Sequence, residues 1–224
     1  MVPSVSAPLP VSTASEQELL PDGQRSSEFE TFKGEKKSCY ASWYGREFHG
    51  KPTASGENFN MFALTCAHRD YPLGTKVRVT NPANSKEVEC IVNDRGPFVN
   101  GRDIDLSYAA AKRIELIGPG VAKVDIEPLG RYVRYVKEVK YADLKGSIMT
   151  IQIGSFIDES NAIRLKNGLD LHYKDVYIMH ANIGNDKYYR VRIGELKDRT
   201  DAVQLAEKLA QEGYSVLVTR YSSQ

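Results

Sequence analysis

Several features are scarce or missing in this 224-residue chain. No apolar run approaches the roughly 18 to 20 residues that a bilayer-spanning helix needs, so a helical membrane span is excluded. Neither sign of charge is in excess, at 30 Lys and Arg against 29 Asp and Glu. Phosphate neutralisation needs a basic surplus, so nucleic acid is not an expected partner. Cysteine is limited to Cys39, Cys66 and Cys90, at spacings that match no zinc ligand set. An odd count forbids complete internal pairing. That leaves buried or free thiols, or a single disulfide in an oxidising compartment.

Catalytic signatures are also missing. There is no Gly-x-Ser-x-Gly elbow, no phosphate-binding glycine loop, no Asp-Thr-Gly or Asp-Ser-Gly, and no His-Glu-x-x-His around His49 or His68. Serine-hydrolase, nucleotide, aspartic-protease and zinc-protease sites are therefore set aside. No metal and no cofactor are expected.

The composition that remains, 41% hydrophobic and 26% charged, suits a soluble globular chain with one large or two small domains. Charge divides unevenly along it. Residues 1–37 carry 4 basic and 6 acidic groups, 38–130 carry 11 and 11, 131–147 carry 5 and 2, and 148–224 carry 10 and 10. Four prolines, six serines and few large apolar groups mark residues 1–37 as a disordered leader or tether. No charged n-region followed by an apolar h-region is visible, so a mature or truncated product, or an internal protein, is expected.

Between Cys39 and Gly130 the pattern is strand-like. Thr75–Thr80 and Glu87–Val92 alternate with period two across the turn-forming Asn81–Ser85, which predicts a β-hairpin. Ser107 is placed to cap a helix over Tyr108–Leu116, stopped by Gly118-Pro119-Gly120, and Val121–Ile126 reads as a further strand. Short strands, many turns and one helix predict a small β-barrel over 38–130. Residues 131–146 read as a linker, with an edge strand of the barrel as the alternative.

The C-terminal block, 147–224, holds an internal repeat. Ile151–Phe156 precedes a helical pattern with Ala162, Leu165 and Leu169, and Val191–Gly194 precedes another with Ala202, Leu205, Ala206 and Leu209. With Asp175–Ile183 and Tyr214–Arg220 as further strands the order is βαββαβ, a small sheet with both helices on one face. The fold class is thus mainly β plus α+β, with one sheet face left open for a ligand.

Four candidate reactive groups lie in turn-rich places: Glu57, His68, Asp94 and Asp105. Each also has a structural reading. Asp94 before Arg95-Gly96 suits a turn, Asp105 suits a helix N-terminus, His68 a hydrogen-bonded core position and Glu57 a solvated loop.

In order, the chain reads Ala41-Ser42-Trp43-Tyr44-Gly45, His49-Gly50, Thr53–Glu57, Thr65-Cys66-Ala67-His68, Pro72–Thr75, Asn93–Phe98 and Gly101–Ser107. This string resembles the rare lipoprotein A (RlpA) family over about residues 38–130, and the C-terminal block resembles a SPOR domain. Cys66 stands where a small residue such as Ala is expected, and the family's lipobox is not seen.

The resemblance implies a double-psi β-barrel acting as a lytic transglycosylase on the MurNAc–GlcNAc β-1,4 bond of peptidoglycan, leaving 1,6-anhydro ends. It implies Asp94 as the acid/base, with Asp105 a close second and plausibly its pair, and Glu57 and His68 in support. Trp43, Tyr44 and Arg95 in the barrel, and Gln152, Ser155, Tyr188 and Arg190 in the SPOR-like block, are implied glycan contacts. Denuded glycan strands and septal proteins are the implied partners, and the periplasm or outer membrane the implied location. A non-catalytic septal glycan-binding or expansin-like wall-loosening protein, and a barwin-like protein-binding barrel, stay open as alternatives.

Overall fold

The computed structural model describes residues 29–142, 144 and 148–222, so residues 1–28 of the expected leader lie outside the described residues. Its first half is a seven-stranded sheet: β1 (Phe29–Thr31), β2 (Lys37–Trp43), β3 (Thr65–His68), β4 (Thr75–Asn81), β5 (Lys86–Asp94), β6 (Ile104–Leu106) and β7 (Val121–Tyr132). The order is β1-β7-β2-β6-β3-β5-β4, and β4 returns to pair with β7. That pairing closes six strands into a barrel with β1 added against the end of β7. The barrel therefore begins at Phe29, inside the stretch read as a tether.

The expected hairpin is β4 and β5, antiparallel from Lys76↔Ile91 to Asn81↔Lys86. Along β4, Thr75, Val77, Val79 and Asn81 are buried and alternate with partly exposed residues, the period that a half-buried strand requires. Ser107 caps α1 (Tyr108–Arg113) by accepting the Ala110 N–H. The helix ends three residues short of Leu116, where Glu115 takes a left-handed φ of 58°. Two parallel pairings, β2 with β6 and β3 with β5, cross inside an otherwise antiparallel barrel. Cys66 and Cys90 meet in its interior with their sulfurs 2.6 Å apart, and all three cysteines are free thiols.

The second half follows βαββαβ order: β9 (Met149–Phe156), α2 (Glu159–Asp170), β10 (Val176–Ile183), β11 (Asp186–Leu196), α3 (Arg199–Gln211) and β12 (Val216–Arg220). Ile151, Ile153, Val191 and Ile193 are buried with the helix residues Leu165, Leu169, Ala206 and Leu209. The residues that alternate with those strand positions occupy the open face. The connector is not a free linker. Its β8 (Val139–Tyr141) pairs parallel with β12 and forms the edge of the second sheet rather than of the barrel.

The two halves pack together into one continuous apolar core. Tyr214, just before β12, is 1% exposed and accepts a 2.6 Å hydrogen bond from Arg95 Nε. The Leu73 N–H donates to the Glu212 carbonyl at 3.0 Å. Gly213 between them has φ +97°, and a Cβ there would meet the Leu73 side chain at 2.8 Å, so only glycine lets the chains approach. Truncation of a buried aromatic costs about 3 to 5 kcal/mol. Tyr214→Ala should therefore replace one calorimetric unfolding transition with two, the earlier at lower temperature. A single unshifted transition would show that the domains are not coupled through this contact.

Candidate active site and glycan face

Asp94 ends β5 and is 4% exposed. Its Oδ1 accepts two backbone N–H groups, from Ala54 and from Arg95, each at 2.9 Å. The Thr53–Glu57 turn is fastened to β5 by the Ser55 N–H donating to the Asn93 carbonyl at 3.1 Å. The same turn brings in Glu57, whose Oε2 accepts from Asn93 Nδ2 at 3.0 Å and whose Oε1 accepts from the Tyr135 hydroxyl at 2.8 Å. The Thr53–Glu57 turn thus touches both Asp94, through the Ala54 N–H, and Asn93, through Glu57.

Burial raises the proton affinity of Asp94 above the ordinary carboxylate range, against the opposing pull of the Arg164 cation and the two N–H groups. Tyr44 lies beside it, packed on Phe59 with ring centroids 4.2 Å apart. Burial and the charge of Asp94 push the Tyr44 hydroxyl well up. Phe48, in the short 3-10 turn Arg46–Phe48, stands edge-on to Tyr44 at 6.0 Å. A buried carboxyl above an aromatic wall suits proton donation to a sugar oxygen.

Asp105 is not Asp94's partner. Ala67 on β3 stands opposite Asp94 on β5 and opposite Asp105 on β6, so a whole strand lies between the two acids. That is roughly 10 Å of sheet at ordinary strand spacing, too far to share a proton. Asp105 Oδ1 accepts from the Ser42 hydroxyl, and Arg102 and Arg69 are its cations. Burial raises its proton affinity too, and the Ser42 bond opposes the rise.

His68 ends β3 with its ring stacked on Tyr71 at 4.1 Å. Its Nδ1 accepts the backbone N–H groups of Asp70 and Tyr71, both at 3.1 Å, which places the ring proton on Nε2. Burial is the largest influence and lowers its pKa to about 4. Trp43 is half-buried, edge-on to Tyr108 at 5.9 Å. Arg95, expected at glycan, is 4% exposed and engaged inside the molecule by Tyr214 and the Tyr71 carbonyl. Its donors face protein, which removes it from the sugar-binding surface.

On the open sheet face, Tyr188, Arg190 and Arg192 follow one another on β11, and Arg190 stands opposite Ser155 on β9. Arg192 Nη2 donates to Gln152 Oε1 at 3.2 Å, and the Tyr177 hydroxyl donates to Thr150 Oγ1 at 2.9 Å. Gln152 and Ser155 also line a cavity of about 450 Å³ whose far wall is Lys137 and Lys140 of the connector. Sequence reasoning missed Tyr135, Arg164, Tyr177 and Arg192. The pair Arg192 and Gln152 had a signal, since each sits second in its copy of the repeat.

A family model described as lytic transglycolase matches residues 36–126, and one described as SPOR domain matches 145–220. The chain is 33% identical over 198 residues to an endolytic peptidoglycan transglycosylase RlpA of Helicobacter pylori strain J99, covering 80% of this chain and 62% of that one. It is 37% identical over 187 residues to the RlpA of strain 26695, covering 83% and 53%. With the Campylobacter jejuni RlpA it shares 52% over 97 residues, 43% of this chain and 35% of that one. The chain thus spans less than two thirds of the length of these curated relatives. Among solved structures, a Streptomyces papain inhibitor aligns at TM-score 0.37 and 22% identity, covering 44% of this chain and 96% of that one.

The buried His68 ring makes stability depend on pH. Above about pH 6.5 it is neutral whether folded or unfolded; between about 6.5 and about 4 only the unfolded chain takes up the proton. Its contribution is therefore whole above that window and is lost as pH falls through it, on the order of 3 kcal/mol. Urea denaturation should show the wild type losing more stability than His68→Gln on going from about pH 7 to about pH 4.5. Parallel losses would contradict a buried neutral imidazole.

Proposed function

The chain belongs to the RlpA family, a double-psi β-barrel joined to a SPOR domain, and from that premise we propose that it is an endolytic peptidoglycan transglycosylase. The observation that carries the reading is the Asp94 carboxyl, buried, gripped at one oxygen by two backbone N–H groups, with Glu57 held by the neighbouring Asn93.

The chemistry needs one group that gives and then takes a proton. Asp94 donates from Oδ2 to the oxygen between MurNAc and GlcNAc, and positive charge develops at C1. The carboxylate left behind accepts the proton of the MurNAc C6 hydroxyl as that oxygen closes on C1, giving the 1,6-anhydro product with no water consumed. Burial supports the first step by raising the proton affinity of the acid. Glu57, fixed by Asn93 and Tyr135, supplies negative charge near the oxocarbenium-like centre. The neutral His68 and the distant Asp105 act in support, holding the β3 and β6 framework.

The SPOR domain holds glycan on its open face through Gln152, Ser155, Tyr188 and Arg190, with the buried Arg192 positioning Gln152. Its proposed ligand is a strand stripped of stem peptides. The proposed setting is the cell envelope, at the division septum, in the periplasm or anchored at the outer membrane.

Mass spectrometry of material released from denuded sacculi tests the reaction. The wild type should yield anhydro ends, Asp94→Asn should abolish them, and Glu57→Gln should slow release about 100-fold or more, the usual scale for a positioned acid–base group. Reducing ends would indicate hydrolysis, and wild-type release by Asp94→Asn would remove Asp94 from the mechanism. Binding is separable from cutting. Full-length Asp94→Asn should pellet with amidase-treated sacculi and not with untreated ones, and adding Arg190→Ala should release it; equal pelleting on both would refute selective recognition.

A further inference from the structure

The second oxygen of Asp94 faces the other domain. Arg164 on α2 reaches across the interface, with Nη1 3.8 Å from Asp94 Oδ2. Its Nη2 donates to the Pro52 carbonyl at 3.3 Å and to Asn161 Oδ1 at 2.6 Å, and its guanidinium lies over the Phe48 ring at 5.4 Å. The head group is therefore held by both domains. Oδ1 is committed to the Ala54 and Arg95 N–H groups, so Oδ2 is the oxygen free to carry a transferable proton. Arg164 sits against that oxygen and over the Phe48 ring.

We propose that Arg164 is a residue of the cleavage site with an inhibitory role: while α2 is docked it occupies the approach to Asp94 Oδ2 and pairs with its charge, and cleavage requires α2 to withdraw. This rests on the reading of Asp94 as the acid. A guanidinium does not give up its proton, so in this position it favours the carboxylate over the acid form that the first step needs. The groups facing Asp94 from the packed elements are Arg164 on α2, Arg95 just after β5, Tyr44 beyond β2 and Tyr214 before β12. Glu57 joins them through Asn93. Arg164 is the cation among these that domain separation removes, because Arg95 belongs to the barrel.

The docked face and the glycan face are different surfaces of the same domain. Docking uses Arg164 and Gly168 on α2 and the segment Glu212–Tyr214, whereas Gln152 and Arg192 lie on the sheet face away from the helices. The chain can therefore land on a glycan strand while its cleavage site is closed. Gly168 offers a way to open it, since a Cβ there would meet the Arg95 side chain at 2.9 Å.

The test uses full-length wild type, Arg164→Ala, Arg164→Lys and Gly168→Glu, each first shown to unfold cooperatively. Arg164→Ala and Gly168→Glu should release anhydro products at least threefold faster than wild type at pH 7. In Arg164→Ala the alkaline fall of the pH–rate profile should move up by about one pH unit, the size of a single ion-pair effect. Arg164→Lys, which keeps the cation, should stay near the wild-type profile. Carbon-13 NMR titration of the Asp94 carboxyl, assigned with Asp94→Asn, should show the same upward displacement whether or not the protein cleaves. An unchanged titration, or Arg164→Ala slower than wild type, overturns the proposal. An active Asp94→Asn with a displaced titration would instead sink the assignment of the acid and leave the pairing standing.

Discussion

A buried guanidinium holds this molecule together. Arg95 follows Asp94 directly, and its side chain leaves the barrel to meet the Tyr214 hydroxyl and the Tyr71 and His68 carbonyls. Taking a cation out of water is costly unless its donors are satisfied, and here the partners come from both domains. The Arg95 backbone N–H meanwhile grips Asp94 Oδ1. One residue therefore fixes the orientation of the acid with its main chain and the docking of the second domain with its side chain.

That coupling explains why the elements around the cleft are short and irregular. β3 has four residues and β6 three, each just long enough to carry His68 or Asp105 and to pair with neighbours on both sides. The longer strands, β4, β5 and β7, supply the alternating apolar wall that closes the barrel. Asp94 sits where the two kinds of strand meet, at the end of the long β5 and beside its parallel pairing with the short β3.

Local signals in the sequence reached a long way. Period-two alternation located β4 and β5, the Ser107 cap located α1, and the repeat located β9, α2, β11 and α3, because each depends on neighbours in the chain. Signals that depend on strand order did not. Asp94 and Asp105 are eleven residues apart and read as a pair, yet β3 inserts between their strands, which no local pattern announces. Arg164 reads as one of several solvated charges on a helix, and Tyr135 as part of a cationic connector. Both acquire their roles only when the domains meet. Arg95 likewise read as a glycan contact because Tyr214, 119 positions away, is invisible from its neighbourhood.

The charge balance takes on a different meaning in the folded molecule. Each domain is neutral in sum, but the charge pair that matters crosses the boundary, Arg164 with Asp94. At Asp94 two tendencies oppose one another. Loss of hydration favours the acid form, while the neighbouring cation and two N–H groups favour the carboxylate, and the net direction is upward. The N–H groups belong to the barrel's own backbone and stay in any domain arrangement, whereas the cation arrives with α2. Withdrawal of α2 also admits water, which weakens the desolvation that raised the proton affinity. A glycan strand filling the vacated space would exclude that water again without bringing a cation, so the arrangement that best protonates Asp94 is the one with substrate in place of Arg164.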